Sequence, residues 1–263
     1  MKDFLVSSLE YNYKLLIAYD GTQYGGWQIQ PNASSIQELV QKALFTMLSH
    51  EVKVIGSGRT DAGVHATGQV AHFICAKDID LYRFIASING LLPRDIRVLQ
   101  IERVPLNFHA QRSAVRKTYH YHLSLGRVQS PFRRLYSAHI REKIDMDLLK
   151  RSAVLFLGTH DFISFANEAY KGTASYDSIR TLESLDVIEE NGEVCLKFTG
   201  NGFLYKMVRN IVGTLLDIGH GKMNMADIPQ ILIARDRRLA GQGAPPHGLF
   251  LVNVEYDKRS LVW

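Results

Sequence analysis

Apolar positions recur along the chain with two different periods, which predict a mixture of strands and helices. Runs rich in β-branched and aromatic residues predict strands at 13–19, 52–55, 69–75, 117–125, 185–188, 193–199 and 248–256. Apolar residues three and four apart predict helices at 36–48, 81–91, 147–157 and 204–216. Ser35 and Glu38 have the spacing of a capping box, and Asn191-Gly192 has the composition of a hairpin turn.

The order of these elements predicts the fold class. Each half of the chain runs strand, helix, strand, with long inserted loops. We therefore expect an α+β fold of two related lobes, with a mainly antiparallel mixed sheet flanked by helices. The lobes are predicted at 1–107 and 108–263, and a cleft between them is the expected ligand site.

Composition narrows the class of protein. The 263 residues are 46% hydrophobic and 22% charged, which is ordinary for a globular protein and argues against disorder. No segment approaches the ~20 continuous apolar residues of a membrane-spanning helix. The first residues include Asp3 and lack a long apolar core, so they do not resemble a signal peptide, and we expect a cytoplasmic protein. Cys75 and Cys195 are far apart and are expected to be reduced thiols.

The positive charge is unevenly distributed. The formal net charge is +5, which is compatible with a polyanionic partner. Basic residues cluster at Arg112, Arg116 and Lys117, at Arg133 and Arg134, and at Arg235, Arg237 and Arg238. Aromatic residues accompany the first two clusters, at Tyr119, Tyr121, Phe132 and Tyr136. Each cluster is an ordinary solvated surface by itself, and their repetition favours nucleic acid modestly.

The loop GSGRTDAGVH, residues 56–65, is the densest group of candidate functional residues. It is not a Walker loop, because Gly58 is followed by Arg-Thr-Asp rather than Lys and a hydroxyl residue, and no dinucleotide fingerprint fits. Asp61 and His65 would share a helix face, but the glycines disfavour a helix here, so we predict no metal. Other histidines are scattered on strands, where surface or hydrogen-bonded histidines are commoner than ligands: His72, His109, His120 and His122.

Two interpretations of this loop remain. Asp61 follows a predicted strand and is flanked by glycines that permit unusual backbone angles, which suits a catalytic carboxylate. An aspartate in a turn also commonly caps backbone N–H groups. Residue spacing alone favours neither.

Several longer segments resemble one known family. GSGRTDAGVHATGQVAHF resembles the signature of the tRNA pseudouridine synthase A family. Further segments match, in the family's order, its first strand and turn, the region that supplies its active-site tyrosine, and its later blocks. These segments are YDGTQYGGWQIQ (19–30), SAVRKTYHYHL (113–123), GTHDFISFA (158–166), FLYKMVRNIVGTLLDIGHG (203–221) and APPHGLFLVNVEY (244–256). One departure is visible at Gln111-Arg112, where the family usually has arginine one place earlier. An RNA contact is expected to be rearranged there.

The resemblance implies the pseudouridine synthase fold and the roles of four residues. Asp61 would be the nucleophile, and Arg209 the cation that keeps it ionised. Tyr119 would stack on the flipped uridine, and Arg59 would fill the gap that the base leaves. The implied activity is isomerisation of tRNA uridines 38, 39 and 40, without metal, nucleotide or other cofactor.

The resemblance also implies a homodimer that grips tRNA. Two other functions stay open: an RNA-binding protein of the same fold without catalytic activity, and a synthase for another RNA such as ribosomal RNA. The presence of Asp61, Tyr119 and Arg209 favours catalysis over binding alone. The order of the blocks favours tRNA.

Overall fold

The computed structural model describes residues 10–167, 177–190 and 192–261. Its strands and helices, in chain order, are β1 (Tyr11–Tyr19), α1 (Ile36–Leu48), β2 (Ile55–Gly56), β3 (His65–Cys75), α2 (Leu81–Leu91), β4 (Ile96–Val104), β5 (Ala114–Leu125), β6 (Ala138–Ile140), α3 (Met146–Val154), β7 (Gly158–Asp161), β8 (Ile179–Glu190), β9 (Glu193–Gly200), α4 (Met207–Gly219), α5 (Ile228–Ala234) and β10 (Leu249–Tyr256). None of the helices within these ranges is long and apolar enough to cross a bilayer.

The described residues divide into two compact units. The first comprises 10–62, 66–114 and 254–261, and the second comprises 63–65, 115–167, 177–190 and 192–253. The lobes predicted at 1–107 and 108–263 stay a prediction. The units differ from them in that the chain leaves the first unit after Ala114 and returns to it at Val254.

In the first unit, β1 lies between β3 and β4 and pairs antiparallel with both, and β2 pairs antiparallel with β3. Tyr13, Leu15 and Ile17 of β1 are fully buried and alternate with more accessible residues. Ser35 caps α1 by accepting a hydrogen bond from the Glu38 backbone N–H. The predicted capping box start of this helix is confirmed.

In the second unit, the strands follow the order β10 (its residues 249–253), β5, β9, β8, β7, and β6 pairs parallel with β5. The pairs β5–β9, β9–β8 and β8–β7 are antiparallel. One face of β5 is buried through Tyr119, Tyr121 and Leu123, as its alternation predicts. The mainly antiparallel mixed pairing and the five helices of the described residues confirm the α+β class.

Several boundaries differ from the sequence predictions. Of the strand predicted at 52–55, only Ile55 pairs, together with Gly56. The helix predicted at 204–216 begins at Met207, because Lys206 has a left-handed backbone with φ of 61°. Strand β4 was not predicted: the β1–β4 register shifts between Leu16 and Ile17, which breaks the period of two in β4. The helix predicted at 147–157 corresponds to α3, which ends at Val154. The predicted turn residue Asn191 lies outside the described residues.

Candidate active site

The candidate carboxylate lies in the connection between β2 and β3. Along residues 59–61 the exposure alternates: Arg59 is exposed, Thr60 is buried and Asp61 is half-buried. A buried residue therefore anchors the backbone, while the residues on both sides of it are accessible. One short segment of the first unit therefore presents an acidic and a basic side chain.

Hydrogen bonds from three distant segments hold this loop. The Trp27 N–H donates to the Thr60 carbonyl at 3.1 Å, and the Tyr19 and Thr60 hydroxyls share a buried hydrogen bond of 2.8 Å. Gln69 receives a hydrogen bond from the Ser57 hydroxyl at 2.8 Å and donates to the Gly58 carbonyl at 3.1 Å. The backbone on the N-terminal side of Asp61 is thus fixed by β1, β3 and the segment around Trp27.

Gly26 permits the close approach of that segment. Its φ is +95°, and a Cβ atom there would collide with the Thr60 carbonyl oxygen and lie 2.8 Å from the Asp61 carbonyl carbon. Only glycine fits both the backbone angle and the space. The GGW part of the 19–30 segment therefore packs directly on the backbone of the RTD part of the loop.

Tyr119 lies on the buried face of β5 in the second unit. Its side chain is 7% exposed, and its ring meets the Phe203 ring edge-on with centroids 5.0 Å apart. Across the strand pair it is opposite Phe198. The predicted stacking residue thus has an aromatic environment within its own unit.

Arg209 lies in the first turn of α4, in the second unit, and is half-buried among buried neighbours. Its Nε donates to the Ala244 carbonyl at 2.7 Å, and its own carbonyl accepts from the Ala244 N–H at 2.9 Å. The guanidinium is therefore oriented by the segment 240–246. That segment approaches α4 closely because Gly213 has no Cβ to overlap the Gln242 carbonyl oxygen.

Tyr121 lies two residues after Tyr119, on the same buried face of β5. It is fully buried, and its hydroxyl donates to the Pro245 carbonyl at 2.8 Å. Burial raises the pKa of Tyr121, and the positive charge of Arg209 opposes that rise, which places the two side chains close together. The charge of Arg209 also contributes to the lowered pKa of His247, whose main cause is burial.

Lys117 was considered only as part of a basic cluster. It precedes Tyr119 by two residues and so lies on the same face of β5. Burial, together with the nearby charge of Arg180, lowers the pKa of its ammonium group to about 8. Ionisable groups with such perturbed pKa values are enriched at functional sites. The signal that could have identified it is its spacing from Tyr119.

Several arginines of the predicted basic clusters take part in ion pairs. Arg116 meets Glu183 at 2.6 Å, and Arg133 meets Glu193 at 3.0 Å. In the third cluster, Arg235 pairs with Asp161, and Arg238 pairs with Asp236, both at 2.6 Å. These pairs orient the arginines. Arg112, at the departure from the family pattern, has an exposed side chain.

Comparison with known proteins identifies the family. The model of the family tRNA pseudouridine synthase matches residues 15–111 and 152–257. The chain belongs to the tRNA pseudouridine synthase family. The matched stretches contain Arg59, Asp61 and Arg209, and Tyr119 lies between them. The resemblance inferred from the sequence blocks is therefore confirmed over both units.

Individual tRNA pseudouridine synthases match over almost their full length. The chain is 58% identical over 249 residues to tRNA pseudouridine synthase A 1 of Protochlamydia amoebophila, covering 94% of this chain and 97% of that protein. It is 45% identical over 245 residues to tRNA pseudouridine synthase A of an Exiguobacterium species, covering 93% and 98%. A chain of the structure "Crystal Structure of a Cbf5-Nop10-Gar1 Complex" aligns with a TM-score of 0.32 and 13% identity, over 77% of this chain and 54% of that one.

Proposed function

We propose that the chain isomerises uridine to pseudouridine at positions 38, 39 and 40 in the anticodon stem and loop of tRNA. Relatives named tRNA pseudouridine synthase A, matched over nearly the whole chain, support a tRNA substrate. The observation that carries the proposal is the loop around Asp61. Its neighbour Thr60 is held by Trp27 and Tyr19, so that an accessible carboxylate stands on a fixed backbone.

The reaction needs a carboxylate beside the ribose. The bond between N1 and C1′ breaks, the base turns, and a bond forms between C5 and C1′. C5 loses a proton and N1 gains one, so the product is an isomer and the reaction consumes no oxidant, reductant or water. Cleavage builds positive charge at C1′, as in glycoside hydrolysis. Asp61 meets that charge by bonding to C1′ or by assisting elimination to a glycal.

Other residues keep the roles that the resemblance implies. Arg209, oriented through Ala244, is the cation that the resemblance pairs with Asp61. Tyr119 stacks on the uridine after it leaves the helical stack, and Arg59 occupies the gap left behind. The exposed basic side chains contact phosphates, and we therefore expect the affinity for tRNA to fall as salt rises.

The assembly and location follow from the same proposal. We expect a homodimer that binds one tRNA with both subunits. We expect the enzyme in the cytoplasm with its tRNA substrate. The isomerisation as written above needs no nucleotide, because no step transfers a phosphoryl group, and no redox cofactor, because no step transfers electrons.

The test is turnover of an unmodified anticodon stem-loop transcript, with pseudouridine mapped by carbodiimide treatment and primer extension. We expect the wild type to modify positions 38 to 40. Asp61→Asn should lower the rate at least ~10³-fold, as loss of a nucleophile does. It should keep the affinity for tRNA. Asp147→Asn, the same chemical change at an exposed acid in the first turn of α3, is the matched control and should retain activity.

Three outcomes would overturn parts of this proposal. A rate for Asp61→Asn that falls by much less than ~10³-fold would remove Asp61 as the nucleophile. Tight tRNA binding by a wild type that forms no pseudouridine would make the chain a binding protein of this fold. Modification confined to a ribosomal RNA fragment, with tRNA left unmodified, would replace the substrate.

A further inference from the structure

The second unit brings together three side chains that the isomerisation does not use. His120 and His122 lie on β5, and Cys195 lies on β9. One ligand atom from each, two imidazole nitrogens and a sulfur, lie within 4.8 Å of one another. Among the described residues this is the one group of three such side chains close enough to share a metal ion.

Strand pairing explains why these residues meet. His122 is directly opposite Cys195 in the antiparallel β5–β9 register, and His120 is the diagonal neighbour, opposite Lys197. Directly opposed side chains have Cβ atoms about 5 Å apart, and diagonal neighbours are within reach of long side chains. The two rings have centroids 6.2 Å apart and are nearly perpendicular. Three ligand atoms thus face a common point from two adjacent strands.

The ligand atoms are available for coordination. All three side chains are half-buried, so one side of the group is open to solvent. In the described part of the chain, no protein hydrogen bond engages the side-chain nitrogens of His120 and His122 or the sulfur of Cys195.

The charges around the group are mixed. Lys197 and Arg133 lie near it and oppose a cation, but Arg133 is paired with Glu193 at 3.0 Å. A metal ion binds the thiolate form of cysteine. Binding would release the thiol proton.

We propose that His120, His122 and Cys195 form a site for Zn²⁺ or a chemically similar borderline metal ion, with a solvent molecule as the fourth ligand. Imidazole and thiolate ligands bind such ions in preference to Mg²⁺ or Ca²⁺. The ion would link β5 to β9. The sequence does not display this grouping, because Cys195 is distant from the two histidines along the chain.

The site is separate from the candidate active-site residues. His120 and His122 alternate with Tyr119 and Tyr121 along β5, so they lie on the opposite face of the strand. The ion would therefore stabilise the strand pair and take no part in base isomerisation. The inference is independent of the proposed function, because its tests measure metal binding.

The experiment titrates the full-length, chelator-treated protein with Co²⁺ as a spectroscopic probe. We expect one Co²⁺ per chain, a thiolate-to-metal charge-transfer band, and loss of that band when Zn²⁺ is added. Cys195→Ser should lose the band. His122→Ala should weaken binding ~100-fold or more, since even an outer partner of a ligand contributes 10–100-fold. Cys75→Ser, at the other free cysteine, is the matched control and should bind as the wild type does.

Thermal unfolding gives a second readout for each variant. Zn²⁺ should raise the Tm of the wild type and of Cys75→Ser, because a ligand of the folded state stabilises it, and should leave the Tm of Cys195→Ser unchanged. Absence of the charge-transfer band in the wild type would overturn the proposal. The same conclusion would follow from an undiminished band in Cys195→Ser, or from its loss in Cys75→Ser.

Discussion

Replacing Gly26 by alanine would test whether contact between two distant segments positions the Asp61 loop. The φ of +95° alone costs an alanine about 1–2 kcal/mol. The new Cβ would also collide with the Thr60 carbonyl oxygen and lie 2.8 Å from the Asp61 carbonyl carbon, where real Cβ atoms stay beyond 3.0 Å. Relief requires a shift of roughly 0.5–1 Å in the loop. Overpacking of this kind costs about 1–3 kcal/mol more.

The same shift should impair catalysis. Misplacement of a reacting group by about 1 Å can cost 10²-fold in rate, so we expect Gly26→Ala to lose about 10–100-fold in kcat. Urea unfolding would measure the free energy of unfolding, and single-turnover pseudouridine formation on a tRNA transcript would measure the rate. Both assays would use protein whose circular dichroism spectrum shows that it is folded.

Gly126→Ala is the matched control for this variant. Gly126 has a φ of +106°, and a Cβ atom added there would meet nothing within 4 Å. The control should therefore show the backbone cost of about 1–2 kcal/mol without the loss of rate. If both alanine variants lost stability and activity equally, the contact between Gly26 and the loop would not position Asp61.

Two further predictions concern Arg209 and His72. Arg209→Lys keeps the charge but loses the Nε donor to the Ala244 carbonyl. We therefore expect a folded protein with kcat lowered about 10-fold or more. A wild-type kcat would show that catalysis does not need the orientation of Arg209 by Ala244. Burial lowers the pKa of His72 from 6.5 to about 4, with charges of His109 and Arg112 contributing. Its neutral ring accepts a hydrogen bond from the Ala110 N–H. The contribution of the neutral ring to the free energy of unfolding is complete above pH 6.5. It is lost as the pH falls towards 4, by at most about 3 kcal/mol. Urea unfolding at pH 7 and 4.5 should show a smaller pH dependence for His72→Gln than for the wild type, and equal dependence would contradict the assignment.

Local sequence patterns predicted those helices and strands whose defining residues lie within a few positions of one another. The apolar spacing and Ser35 cap defined α1, and the pattern at 81–91 defined both ends of α2. Strand β4 was missed because its alternation is broken by a register shift that depends on β1. The start of α4 was placed too early because the left-handed Lys206 leaves no trace in the apolar pattern.

Some features of the candidate site were likewise predictable from the sequence, and others were not. Asp61 and Arg59 stand together in one loop and were identified from that segment and its resemblance to a family. The environment of Arg209 was not predictable from its helix, because Tyr121 and Ala244 reach it from other elements. The spacing of Lys117 from Tyr119 is visible in the sequence, but the burial that lowers the pKa of its ammonium group depends on the folded chain.

The sequence by itself determined the family, the α+β class, the faces of β5 and the loop that carries Asp61. These depend on residue type and short-range spacing, which the chain displays directly. The tertiary structure alone decided that Gly26 packs against the Asp61 backbone and that Cys195 is opposite His122. Such contacts join residues far apart in the chain, and their existence depends on strand register and loop packing, which no local period of apolar residues specifies.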